Sequence, residues 1–223
     1  MKEYSPERRP IGVFDSGVGG LTVVRALMER LPFENILYFG DTARVPYGVK
    51  SVATINAYAR QITEYLVRQE VKLLIIACNT MAAVARQTIE TLSPVPVLDV
   101  IDAGARRAVA ETRTHSVGVI GTPTTINSNA YAQAICRLAP DTRIFSQACA
   151  LFVPLVEEGW LDHPVTRLTA QEYLRPVLAE HIDTLVLGCT HYPLLKALLQ
   201  DVTGPDIRLV DSAEAMADAT AAL

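Results

Sequence analysis

LLIIACNT at residues 73–80 and TLVLGCTH at residues 184–191 are two versions of one pattern, and this pattern decides the fold. Each is an apolar run that ends in a small residue, a cysteine and two polar residues. The cysteines are Cys78 and Cys189. Short apolar runs of this kind predict buried β-strands. The repeated pattern therefore predicts two equivalent strands, each with a thiol at its carboxyl end.

Two further segments recur at nearly the same spacing. IGVFDSG at residues 11–17 aligns with VGVIGTP at residues 117–123, and LYFG at 37–40 aligns with IFSQ at 144–147. Three strand ends that recur in the same order predict a duplicated unit. We place the boundary near residues 97–102, so that residues 1–98 with 210–223 form one domain and residues 99–209 form the second.

Predicted strands alternate with helical patterns along the whole chain. The strands are apolar on both faces, which is typical of parallel sheets covered by helices. We therefore predict an α/β fold made of two pseudo-symmetric, doubly wound parallel-sheet domains. Ligands of such sheets bind beyond the carboxyl ends of the strands. The active site is expected between the two domains, where these ends face each other.

Composition excludes several classes of function. The chain has 223 residues, is 50% hydrophobic and carries a formal net charge of −4. It has no basic excess that would indicate nucleic-acid binding, and its longest apolar run is far shorter than the roughly 20 residues that span a bilayer. The polar start, MKEYSPERRP, does not resemble a signal peptide. Four dispersed cysteines without a CxxC pair favour reduced thiols and a cytoplasmic location.

The two cysteine motifs allow three interpretations. A cysteine between a strand and a helix lies near unpaired backbone N–H groups, which can lower a thiol pKa. Two such thiols would suit the removal of a proton from one face of a carbon and its return to the other face. Buried cysteines that only fill core space are the second interpretation. Zinc binding by Cys78, Cys189 and His191 is the third, but no local ligand pair has metal-site spacing, so we predict no metal.

DSGVGG at residues 15–20 follows the first predicted strand. One interpretation is a phosphate-binding loop, with Asp41 at the position of a ribose-binding acid. This pattern is incomplete because Thr22 stands at the third glycine position, and Asp15 would place a negative charge beside the phosphates. The other interpretation is that the glycines allow close packing of helix on strand. Asp15 would then meet an ammonium group or adjust a neighbouring thiol.

Four other features are candidates for ligand contacts. PYG at residues 46–48 is either an ordinary turn or part of the site. Thr122 and Thr125 either cap a helix or contact a ligand. His191, beside the second cysteine, is a candidate for orienting or protonating a ligand. Glu157, in LFVPLVEEG, is a solvated charge unless its helix faces the cleft.

Together these motifs resemble the glutamate racemases of bacterial cell-wall synthesis. The resemblance extends from about residue 11 to residue 220 through IGVFDSGVGGLTV, YFGDTARVPYG, ACNT, GTPTTINS, LFVPLVEEG and GCTHYP. It implies a cytoplasmic, cofactor-independent enzyme that interconverts L- and D-glutamate by proton transfer between two cysteines. It also implies that the product D-glutamate supplies peptidoglycan, and that the enzyme forms a homodimer. Aspartate and hydantoin racemases share a looser version of the motifs.

The resemblance also implies roles for individual residues. Cys78 would deprotonate D-glutamate and Cys189 would deprotonate L-glutamate, while Asp15, His191 and Glu157 would assist the thiols. The implied substrate-binding residues are Asp15, Ser16, Pro46, Tyr47, Gly48, Asn79, Thr80, Thr122, Thr125, Thr190 and His191. Two departures stand out. Family members usually continue for some tens of residues beyond the position of Leu223, and Ala150 stands where a proline is usual.

The lysines argue against pyridoxal chemistry. Lys2, Lys50, Lys72 and Lys196 all lie outside the strand-end motifs, whereas pyridoxal enzymes need a lysine at the reacting centre. We therefore expect no cofactor and a small-molecule substrate. Three alternatives remain open at this point: a racemase for aspartate or another small amino acid, a nucleotide-binding oxidoreductase, and a protein that binds glutamate without converting it.

Overall fold

The computed structural model describes residues 9–223, which form two four-stranded parallel sheets. The strands are β1 (Ile11–Asp15), β2 (Ile36–Gly40), β3 (Leu73–Ile76), β4 (Val97–Asp99), β5 (Ser116–Gly121), β6 (Arg143–Ala148), β7 (Thr184–Gly188) and β8 (Arg208–Asp211). Their order is β2-β1-β3-β4 in the first sheet and β6-β5-β7-β8 in the second. The two sheets therefore have the same topology, which confirms the predicted α/β fold of two pseudo-symmetric halves.

Helices cover both sheets. They are α1 (Leu21–Arg30), α2 (Val52–Arg68), α3 (Asn79–Leu92), α4 (Val100–Glu111), α5 (Pro123–Asn127), α6 (Ala130–Leu138), α7 (Phe152–Glu157), α8 (Pro164–Leu178), α9 (Lys196–Thr203) and α10 (Ser212–Ala221), with a 3₁₀ turn at Tyr192–Leu195. Within residues 9–223, none of these helices combines the length and the apolar character needed to cross a bilayer.

The position of β8 corrects part of the predicted domain division. The prediction placed residues 210–223 in the first domain, but β8 pairs with β7 in the second sheet, and Leu187 is in register with Asp211. Helix α10 packs against α1 of the first half and α4. The remainder of the division stays a prediction.

A fourth repeated segment explains where β8 lies. Asp99 ends β4 and accepts hydrogen bonds from the backbone N–H groups of Ile101 (2.8 Å) and Asp102 (3.0 Å). Asp211 ends β8 and caps α10 in the same way, accepting from Ala213 at 2.8 Å. Each aspartate thus satisfies N–H groups that the first turn of a helix leaves unpaired. Strand β8 is the counterpart of β4, and it therefore takes the corresponding place in the second sheet.

One hydrophobic cluster extends through both halves. It contains Val13 and Ile75 from the first sheet together with Val119 and Val186 from the second. Burial of apolar side chains is the main driving force of folding. Because the halves share this core, the carboxyl ends of their strands are held in a fixed relation.

Three local features differ from the sequence-based expectation. The sequence pattern over residues 124–138 predicts a single helix, but the helix is broken at Asn129, whose φ of 56° places it in the left-handed region that asparagine tolerates better than most residues. A 3₁₀ turn precedes α9. Strand β3 ends at Ile76, and Cys78 instead caps α3, with its Sγ accepting from the Met81 N–H at 3.4 Å.

The equivalent glycines of the two central strands give a test of the packing. A Cβ at Gly118 would lie 2.6 Å from Ile182 Cδ1 and 2.7 Å from Val177 Cγ1, whereas a Cβ at Gly12 would lie 3.0 Å from Val71 Cγ1. Overpacking of a core typically costs about 1–3 kcal/mol. We expect Gly118→Ala to lower the free energy of unfolding in urea by more than Gly12→Ala does. A Gly118→Ala variant as stable as the original chain would contradict the packing described here.

Candidate active site

A cavity of about 330 Å³ lies between the carboxyl ends of strands from the two sheets. It is lined by most of the residues that the sequence predicts to form the site: Ser16, Pro46, Tyr47, Gly48, Cys78, Asn79, Thr80, Thr122, Glu157, Cys189, Thr190 and His191. Residues far apart in the chain therefore meet at one place, as the sheet topology requires.

Asp15 and Thr125 lie directly behind this wall. Asp15 is fully buried and accepts a hydrogen bond from the Gly17 N–H at 3.0 Å, while the Thr190 hydroxyl lies 3.5 Å from its other oxygen. The Thr125 hydroxyl is 3.0 Å from that of Thr122 and 3.4 Å from that of Thr80. Both residues thus contact side chains that line the cavity.

The two thiols have different neighbours. Cys189 Sγ lies 3.9 Å from Nδ1 of His191, and Nε2 of that imidazole lies 3.0 Å from Oε1 of Glu157. The helix that carries Glu157 faces the cavity, and Glu157 is part of its lining. Near Cys78 the charged group is the buried Asp15. The titratable groups near the thiols therefore differ chemically: an imidazole lies beside Cys189, and the carboxyl group of Asp15 acts on Cys78 and also on Cys189.

Burial raises the pKa of both thiols. It raises the pKa of Cys78 to about 12, and the nearby charge of Asp15 acts in the same direction. Burial also raises the pKa of Cys189, with further contributions from Cys78 and Asp15. The expectation that the start of a helix would lower these pKa values was wrong, because the N–H of Met81 lowers the pKa of Cys78 by less than burial raises it.

The pKa of Asp15 is also raised above the usual value of an aspartate. Burial raises its pKa, while the hydrogen bond from Gly17 and the charge of His191 lower it. A carboxyl group with a raised pKa can exchange a proton more readily near neutral pH than an exposed one. Asp15 is therefore a candidate for exchanging a proton with Cys78.

The rest of the cavity wall is apolar and was missed by sequence reasoning. It consists of Val45, Val49, Pro123, Ala150, Val153 and Pro154. Val45 and Val49 flank the PYG turn, Pro123 follows Thr122, Ala150 lies just before LFVPL, and Val153 and Pro154 lie within it. Their position beside predicted site motifs was the available signal. An apolar wall excludes water, which strengthens the electrostatic interactions inside the cavity.

The glycines after β1 serve close packing. A Cβ at Gly19 would lie 2.5 Å from the Thr190 hydroxyl, and one at Gly20 would lie 2.5 Å from Asp15 Cβ. Asp41 is engaged by the hydroxyl of Tyr47 and by Arg44, whose Nε is 2.7 Å away. These contacts favour the packing interpretation of DSGVGG over the phosphate-loop interpretation.

The zinc interpretation finds no geometric support in the part of the chain that the structure describes. Among residues 9–223, no group of three or more histidine, cysteine, aspartate or glutamate side chains is arranged to hold a metal ion. Cys78, Cys189 and His191 line the same cavity without forming such a group.

Comparison with known proteins shows which family the chain belongs to. The family model described as "Asp/Glu/Hydantoin racemase" matches residues 11–220. The chain belongs to this racemase family. It is 92% identical over 223 residues to a glutamate racemase of Syntrophus aciditrophicus, which covers all of this chain and 83% of the relative. It is 63% identical over 215 residues to a glutamate racemase of Neisseria meningitidis serogroup A, covering 96% of this chain and 79% of the relative.

A solved structure of a racemase from this family has the same fold. The glutamate racemase of Francisella tularensis, described in complex with D-glutamate, superposes with a TM-score of 0.91 at 45% identity. The alignment covers 97% of this chain and 81% of the other. The two-sheet architecture therefore belongs to the racemase fold.

Alkylation kinetics test the pKa of the thiol in this racemase site. Only the thiolate reacts appreciably with iodoacetamide. Because burial raises the pKa of Cys78 to about 12, its labelling rate should climb about tenfold per unit between roughly pH 7 and pH 10 without a plateau. Peptide mass mapping reports each cysteine separately, and the exposed Cys136 controls for reagent decay. A plateau for Cys78 near pH 8 would contradict the raised pKa.

Proposed function

We propose that this chain interconverts L- and D-glutamate without a cofactor, by direct proton transfer between two thiols and Cα of the substrate. The chain is an amino-acid racemase, which is a class of isomerase. One observation carries the proposal: Cys78 and Cys189 come from equivalent strand ends in opposite halves and line the same cavity.

The reaction needs one thiolate and one thiol at a time. The thiolate takes the α-proton from one face of Cα, and the resulting carbanion takes a proton from the thiol on the other face. The C–H bond that breaks and the one that forms are thus balanced by an S–H bond formed and another broken. Cys78 would act as the base on D-glutamate and Cys189 as the base on L-glutamate. Positioned acid and base groups of this kind contribute roughly 10²–10⁴ in rate.

Substrate binding would create the thiolate. The raised thiol pKa values favour neutral sulfur. The substrate ammonium group brings a positive charge, which favours the charged form of a nearby acid. With D-glutamate bound, Cys78 passes its proton to Asp15 while Cys189 keeps its own. With L-glutamate bound, Cys189 passes its proton to His191 while Cys78 keeps its own. The contact of His191 Nε2 with Glu157 Oε1 at 3.0 Å would hold the imidazole in place beside Cys189.

The polar wall would hold the two carboxylates of glutamate. Thr80 and Thr122, whose hydroxyls are 3.0 Å apart, come from opposite halves and can donate to one anionic group together. Ser16, Asn79 and backbone N–H groups at the starts of helices add donors. Donors that are fixed before the reaction stabilise the negative charge that develops in the carbanion.

The cellular role follows from the product. We propose that the D-glutamate made by this chain supplies peptidoglycan synthesis in the cytoplasm, and that the enzyme acts as a homodimer. The support is the relationship to glutamate racemases at up to 92% identity. A nucleotide-binding oxidoreductase is not favoured, because Asp41 already binds Arg44 and Tyr47.

Serine substitutions test the paired thiols. A serine hydroxyl is far less acidic than a thiol, so it cannot act as the base at neutral pH. We expect Cys78→Ser and Cys189→Ser each to lower the racemisation rate by at least about 10³-fold, since the paired groups act as a unit. Optical rotation of L-glutamate and of D-glutamate measures the rate. Cys149→Ser, which changes a buried cysteine outside the cavity lining, is the control, and full activity in the double Cys78/Cys189 variant would refute the mechanism.

Substrate choice separates the remaining alternatives. If the two threonines hold a side-chain carboxylate at the distance set by glutamate, kcat/KM for glutamate should exceed that for aspartate by at least about tenfold, because one methylene misplaces the charge. Optical rotation with both amino acids measures the ratio. A preference for aspartate would favour an aspartate racemase. Calorimetric binding of glutamate without any change in optical rotation would indicate a protein that binds glutamate without converting it.

A further inference from the structure

Tyr131 connects the second half of the molecule to the active site of the first. It lies on α6 and is 2% exposed. Its hydroxyl donates to the side-chain oxygen of Asn79 at 2.6 Å, and it lies 3.4 Å from the backbone carbonyl of Val100. Burial raises the pKa of Tyr131, so the hydroxyl stays protonated and remains a donor.

Two glycines make room for the tyrosine ring. A Cβ at Gly188, at the end of β7, would lie 2.9 Å from Cε2 of Tyr131, and a Cβ at Gly104 on α4 would lie 3.2 Å from its hydroxyl. The ring therefore sits between α4 and the strand that leads to Cys189. Packing on both sides of the ring fixes the position from which its hydroxyl contacts Asn79 in the other half.

This contact fixes the orientation of the Asn79 side-chain amide. Asn79 is 2% exposed and lines the cavity. Its oxygen accepts the hydrogen bond from Tyr131, while its side-chain nitrogen is buried and has no hydrogen-bond partner among residues 9–223. A buried donor without a partner is costly. A ligand carboxylate would satisfy it, and the opposite orientation of the amide would instead turn an oxygen toward that carboxylate.

An equivalent contact runs in the other direction. Thr22, at the start of α1 in the first half, donates to the backbone carbonyl of Thr190 at 3.0 Å. Thr190 and Asn79 each follow a cysteine, and α1 and α6 each lie between the first two strands of their half. Each half thus holds the residue after the cysteine of the other half.

We propose that Tyr131 is a positioning residue for glutamate racemisation, because its hydroxyl fixes the Asn79 amide with the N–H group directed to the substrate carboxylate. The proposal rests on the proposed function for its choice of substrate. Tyr131 acts only through Asn79 and does not line the cavity.

Tyr131→Phe removes the hydroxyl and keeps the ring that fills the space beside the two glycines. Without the hydroxyl the Asn79 amide can rotate, so we expect KM for glutamate to rise about tenfold while kcat changes by less than about threefold. The calorimetric Kd for D-glutamate should rise by a similar factor. An unchanged KM and Kd would overturn the proposal.

Tyr192→Phe is the matched control. It also removes a buried hydroxyl, which donates to the backbone carbonyl of Cys149 at 2.8 Å. Both variants should lose similar stability in urea, but only Tyr131→Phe should weaken substrate binding. If both raise KM equally, the effect comes from general loss of packing and the positioning role is refuted.

A double-mutant cycle shows whether Tyr131 acts through Asn79. In an Asn79→Ala background, Tyr131→Phe should change KM and Kd by less than about twofold, because the group that it orients is gone. If the factors by which the two substitutions raise KM and Kd simply multiply, Tyr131 and Asn79 act independently, and the proposal is overturned. If the unmodified chain binds D-glutamate without racemising it, the proposed function fails, while the cycle measured in Kd still decides the role of Tyr131.

Discussion

The shared position of β3 and β7 in two sheets of identical strand order is the constraint on which the site depends. Each strand delivers one cysteine at its carboxyl end, and the sheets share a hydrophobic core that joins the halves. The cavity therefore receives one thiol from each half. Two-sided proton transfer needs this geometry, because a single base cannot reach both faces of the same carbon.

Contacts between the halves keep the polar groups of the cavity in place. Thr80 lies against Thr122, Thr22 holds the carbonyl of Thr190, and Tyr131 holds Asn79. All of them lie beside the cavity, where a shift of about 1 Å can cost a large factor in rate. Burial makes both thiols weak acids in the protein. The same burial makes their ionisation sensitive to the charge of a bound substrate.

Much of this arrangement could be predicted from the sequence, because apolar strands, their polar carboxyl ends and their repetition are local patterns. The position of β8 was missed because its repeat, Asp99 with Asp211, lies in short segments with few apolar residues. The helix break at Asn129 depends on one residue that adopts a left-handed conformation. Neither feature produces a periodic signal.

Properties that depend on burial, or on contacts between residues far apart in the chain, were harder to predict. The direction of the thiol pKa shifts follows from burial, which the local sequence around Cys78 does not reveal. The link from Tyr131 to Asn79 joins residues 52 positions apart in the chain, and nothing in either segment indicates the other. The apolar wall that includes Val45 and Val153 forms only when separate loops meet.

Isotope incorporation during the first turnovers tests the two-thiol account most directly. L-glutamate in D₂O is followed by NMR, and the two enantiomers are separated before much substrate is consumed. Because the proton delivered to Cα comes from the second thiol, newly formed D-glutamate should carry deuterium at Cα while the remaining L-glutamate still carries hydrogen. D-glutamate that retains the original hydrogen would mean a single base returning the same proton, and it would contradict the account.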